Sequence, residues 1–122
     1  MNEGKGGERD LARRTRYCRR YELPASVVDV VKCLCADYDR RARAIQYGSV
    51  TGGVLERYAE LNTVIDKALE VLEVGIRHEM LEDIHRGRGY DFSPVSVYLS
   101  KNTYYQRKKR MIFEIAKDLS LI

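Results

Sequence analysis

The sequence predicts an all-α protein: a helical domain that ends in a helix-turn-helix. Three observations carry the prediction. Only two prolines occur, Pro24 and Pro94, so long helices are permitted over most of the chain. Apolar residues recur at three and four spacing from Leu55 to Ile84, the period of one helix face. The C-terminal stretch DFSPVSVYLSKNTYYQRKKRMIFEIAKDL reads as a short helix, a tight turn and a longer helix.

Composition bounds the rest. A chain of 122 residues has room for one compact domain with a tail, and 44% apolar residues suffice for a modest core. Charge is segregated. Residues 1–20 carry seven basic and three acidic side chains, residues 21–100 nine and thirteen, and residues 101–122 six and two. Two basic ends around an acidic middle suggest a polyanion partner touched by the ends. No run approaches the roughly 18 apolar residues that would span a bilayer, so no membrane partner is expected. The first ten residues hold no apolar stretch of the secretory kind, and a cytoplasmic protein is expected.

The elements follow in order. Residues 1–22 are expected to form a basic, flexible arm, whose LARRTRYCRR run holds five arginines. The arm reads equally as a phosphate-binding tail or as a solvated charge run. Residues 23–122 form the helical domain. Leu23-Pro24 is a helix start, since proline lacks the N–H that the first turn does not need. Val27, Val30, Val31, Leu34, Cys35 and Tyr38 then mark one face of a helix of about 24–47, closed by Gly48. Arg40, Arg41 and Arg43 complement its dipole and are expected in solvent.

The next helix carries Leu55, Tyr58, Leu61, Ile65, Leu69, Leu72, Ile76, Met80 and Ile84 as its stripe. Valines 54, 64, 71 and 74 widen it. It is either one helix or two, about 54–73 and 75–86, with the break near Gly75, where glycine costs ~1 kcal/mol against alanine. So long a stripe needs other helices or a second copy of the chain against it, which makes a homodimer a candidate assembly.

Nothing in the sequence points to chemistry. His78 and His85 are seven apart, and HEMLEDIH lacks the second histidine of a zinc-protease motif. Cys18, Cys33 and Cys35 match neither a disulfide framework nor a zinc knuckle. The carboxylates read as solvated helix faces. No catalytic residue, metal or cofactor is expected, and the protein is not read as an enzyme.

The C-terminal stretch, about 94–119, carries the function. Ser93 and Pro94 start a short helix with Val95, Tyr98 and Leu99 on its apolar face. Ser100 caps a second helix, 101–119. Met111, Ile115 and Leu119 face inward, and the same spacing extended backwards makes Tyr104 the anchor of the helix start. The opposite face carries Asn102, Tyr105, Gln106 and Lys109, flanked by Lys101, Thr103 and Arg110. Asn and Gln pair with adenine, Arg and Lys with guanine, and Thr meets the thymine methyl. Arg107 and its basic neighbours hold phosphates.

The segment YLSKNTYYQRKKRMIFEIAKDL resembles the end of the RinA/ArpU group of phage transcriptional regulators. ADYDRRARAIQYG and RYAELNTVIDKALEVL resemble that group's earlier helices, so the likeness covers roughly residues 30–120. The resemblance implies a helical fold whose C-terminal part is similar to region 4 of sigma factors. It also implies transcriptional activation of phage genes in a bacterial host, with host RNA polymerase as a candidate partner. Tyr104 departs from the pattern, standing where sigma-like readers have a small aliphatic residue. The expected function is therefore sequence-specific binding of double-stranded DNA in phage or prophage gene regulation. The alternatives are a small-terminase-like packaging protein and a helical module that docks on an acidic protein.

Overall fold

A computed structural model describes residues 21–122, and every regular element among them is helical. The elements are α1 (Ala25–Ala36), α2 (Tyr38–Gln46), α3 (Gly52–Leu69), α4 (Val74–Arg86), two 3-10 turns (Tyr90–Phe92 and Pro94–Val97) and α5 (Lys101–Asp118). The arginine run of 13–20 and Cys18 lie outside the described residues.

The expected helix 24–47 is two helices. Asp37 leaves helical geometry (φ −93°, ψ 4°), and its carboxylate accepts a 2.8 Å bond from Arg40. A one-residue bend leaves the apolar spacing almost unchanged, so the pattern could not disclose it. Its consequence is packing: α1 lies on α4 and α5, whereas α2 turns onto α3. Val31 and Cys35 are buried as the spacing requires, but Val30 is exposed. Gly48, at φ +68°, closes α2 as expected. Its N–H reaches the Ile45 carbonyl and the Ser49 N–H reaches that of Ala44, the paired bonds of a Schellman end.

Arg41 is a second correction. It is 2% exposed rather than solvated. Its Nε donates to Asn62 Oδ1 (2.7 Å) and a terminal nitrogen to the Leu34 carbonyl (2.6 Å), while Asn62 Nδ2 donates to the Tyr38 carbonyl (3.1 Å). This bridge joins α1, α2 and α3 through neutral oxygens. Burial lowers the Arg41 pKa from its usual value.

The long stripe is two helices, one of the two readings, and the break falls at 70–73, just before Gly75, which sits in the first turn of α4. The glycine penalty is small at a helix start, and the turn is held from outside. Arg77 Nε donates to the Leu72 carbonyl (2.9 Å), and Arg107 donates to that of Val71 (2.9 Å). The break folds the two halves of the stripe into one core. Ile65, Leu69, Leu72, Ile76, Met80 and Ile84 are all buried there with Val31, Val95, Tyr104, Met111 and Ile115, and Leu61 is buried as well. The intramolecular core thus buries the stripe from Leu61 onward, while Leu55 and Tyr58 are only partly buried. Val54, Val71 and Val74 do not widen it; they are exposed.

The connector from α4 to α5 positions the C-terminal helix. The expected short helix is the 3-10 turn Pro94–Val97, with a single α-type bond, from the Leu99 N–H to the Val95 carbonyl, at its end. Ser93 caps it as expected, accepting the Val95 N–H at 3.0 Å. Val95 is fully buried and Leu99 partly so, but Tyr98 is 67% exposed rather than on the apolar side.

Candidate nucleic-acid interface

α5 begins where the sequence places it. Ser100 accepts the Thr103 N–H (3.3 Å) and lies 2.9 Å from Thr103 Oγ1. Met111, Ile115 and Ala116 are buried, and Leu119 packs at the edge of the core. At the N-terminal end the buried residue is Tyr104, with no exposed surface.

Tyr104 fits because its polar end is satisfied. Its hydroxyl donates to Asp83 Oδ2 at 2.8 Å. Ser93 Oγ also donates to Oδ2, and Arg88 Nε donates to Oδ1 at 2.6 Å. Asp83 itself is wholly buried, which corrects the reading of the carboxylates as solvated faces. The ring meets Tyr90 and Tyr105 edge-on, at centroid distances of 5.3 and 5.0 Å. Burial, and then the bond to Asp83, raises the Tyr104 pKa well above the ordinary phenol value. Tyr90 completes the arrangement: its hydroxyl bonds the Leu99 carbonyl (2.7 Å), and its N–H donates to the Tyr105 hydroxyl (3.1 Å). One carboxylate and three tyrosines thus tie α4, the connector and α5 together.

The eight expected contact residues divide into three kinds. Lys101, Asn102, Lys109 and Arg110 are exposed on α5, and Gln106 is half-buried between them. Thr103 shares the Ser100 cap, and Tyr105 is 41% exposed with its hydroxyl committed to the connector. Arg107 is drawn away from the outward face to the Val71 carbonyl. Lys108 points inward, 5.4 Å from the Tyr104 ring centroid, and donates to the Arg88 carbonyl at 2.6 Å. Burial lowers its pKa.

Asp83, Arg88 and Tyr90 were missed as positioning residues, as was the bond from the Ser93 cap to Asp83. A signal existed for Asp83: with Ile76, Met80 and Ile84 it completes the i, i+4, i+7, i+8 pattern of a buried face. A carboxylate at an inward position demands partners.

The histidines form no site. His78 is exposed, and His85 lies 3.3 Å from Glu82, which also accepts from Arg86. Among the described residues no three His, Cys, Asp or Glu side chains group as metal ligands would. None of the described helices is long and apolar enough to cross a membrane. No family model, curated protein or solved structure matches the chain.

Proposed function

We propose that the protein is a sequence-specific, double-stranded DNA-binding regulator of transcription, acting on phage or prophage genes. In this reading residues 94–119 work as a helix-turn-helix whose first helix is reduced to the Pro94–Val97 turn, and α5 enters the major groove. The supporting observation is the division of α5. Its buried side is fixed by Tyr104 to Asp83 and by Met111 and Ile115 to the core, while Asn102, Gln106 and Lys109 make no side-chain hydrogen bond among the described residues. A rigid helix with unspent amide and ammonium groups is suited to base edges and phosphates.

From Phe92 to Phe113 the chain carries five Lys or Arg and no Asp or Glu. Lys101, Lys109 and Arg110 of these are exposed on α5, a surface that suits a polyanion. The regulatory role and the phage context rest on the resemblance of YLSKNTYYQRKKRMIFEIAKDL to the RinA/ArpU group. In vitro selection from a random duplex pool tests the reading: a defined consensus is expected. Uniform recovery of random sequences at low salt would overturn it.

A further inference from the structure

Three cationic side chains from three different elements converge beside α5. Lys32 comes from α1, and its Nζ would lie 3.3 Å from a methyl group built on Gly87. Arg88 comes from the loop that follows, between Gly87 and Gly89. Lys108 comes from α5 and reaches the Arg88 carbonyl at 2.6 Å. Lys108 feels both Lys32 and Arg88 as like charges, against a single carboxylate, Asp83.

That carboxylate offsets one of the three charges, Arg88, and leaves the two ammonium groups without an ion-pair partner among the described residues. Asp83 already accepts from Arg88, Tyr104 and Ser93. Glu82, held by Arg86 and His85, and Glu79 both act on Arg88 from α4. Lys32 makes no hydrogen bond or ion pair among the described residues, and Lys108 bonds a neutral carbonyl. Like charges held this close disfavour the charged forms unless an anion joins them.

We propose that Lys32, Arg88 and Lys108 form a phosphate site, filled in the DNA complex by a backbone phosphate on one wall of the groove. The position fits. The loop carrying Arg88 runs along the flank of α5, tied to Tyr105 through the Tyr90 N–H and to Lys108 through the Arg88 carbonyl. An inserted helix has phosphates on its flanks, so α1 becomes a contact element through Lys32. The DNA form of the proposal rests on α5 being the reader; the anion site itself does not.

Lys32→Gln is the informative change, because Lys32 holds no other part of the fold. Binding of the full chain to its selected duplex and to random duplex is measured across a salt series. The slope of log affinity against log salt should fall by ~0.9, one phosphate contact, equally on both DNAs. Lys32→Arg should retain the slope. A second measurement needs no DNA. Inorganic phosphate should raise the melting temperature more than chloride at equal ionic strength, and Lys32→Gln should abolish the difference.

If the protein binds duplex DNA and Lys32→Gln leaves the slope unchanged, the site is refuted while the DNA reading stands. If phosphate stabilises through Lys32 but no duplex binds, the site stands as an anion site and the DNA reading fails. Absence of both duplex binding and phosphate stabilisation overturns both.

Discussion

The Tyr104 hydroxyl donates a 2.8 Å hydrogen bond to Asp83 Oδ2, joining the start of α5 to the end of α4 inside the core. The bond explains how a bulky residue occupies the position that sets the angle of α5. A small aliphatic side chain there would leave Asp83 short of a donor and a gap between Tyr90 and Tyr105.

Tyr104→Phe should lower stability by ~1–2 kcal/mol, because the ring stays and the hydroxyl's bond to the buried carboxylate, with its 3.1 Å contact to the Arg88 carbonyl, is lost. Asp83→Ala should lower it by more, ~2–4 kcal/mol, since it strands Tyr104, Ser93 and Arg88 together. Urea midpoints of the two variants and of the double variant test this. Additive effects would show that the two residues are not coupled.

Asn62→Leu should destabilise by ~3 kcal/mol, as it removes the acceptor of the buried Arg41 guanidinium. Exchange of the α2 amides should quicken first in this variant, because the Arg41–Asn62 bond is the buried link between α2 and α3, beside the outer Tyr38–Asp66 and Arg40–Tyr58 bonds. Retained protection of α2 would show that Arg41 is incidental.

Alkaline pH should weaken the fold. Burial pushes the Cys35 thiol from an ordinary 9.0 up to about 12. Burial and then the bond to Asp66 push Tyr38 from 10.0 up to about 12. Groups with raised folded pKa stabilise fully below their unfolded values, and that stability is lost as pH rises towards the folded values. Urea midpoints should therefore decline above pH 9, first through Cys35 and then also through Tyr38. Cys35→Ala should flatten the decline between pH 9 and 10; an unchanged decline would assign it elsewhere.

On DNA, Gln106→Ala should cost ~1–3 kcal/mol on the preferred site and relax the preference there. Lys109→Ala should weaken all sites about equally and reduce the salt slope. Identical behaviour of both variants on specific and random duplex would remove α5 as the reader. Arg107→Ala makes a contrast: it should lower stability through the lost bond to Val71 and leave sequence preference intact.

The apolar spacing disclosed which residues meet in the core, because burial of one face is a local, periodic requirement. Leu61 through Ile84 were legible on that ground, as were Tyr104, Met111 and Ile115. The caps at Ser93, Ser100 and Gly48 were legible too, since each satisfies backbone groups only a few residues away. Bends are different. Asp37 and the 70–73 turn hardly alter the spacing, and the second is held by Arg77 and by Arg107 from the far end of the chain.

The sequence by itself thus determined an all-helical chain, its inward residues, and the polar and basic stretch that opens α5. Only the tertiary structure decided which charges are spent inside. It buried Arg41 and Asp83, drew Arg107 and Lys108 to backbone carbonyls, and left Asn102, Gln106 and Lys109 free of side-chain partners among the described residues. The physical reason is that a buried polar group must find its partner wherever the fold brings one, at any sequence separation. Asp83 and Tyr104 are 21 residues apart, and no local pattern records that they meet.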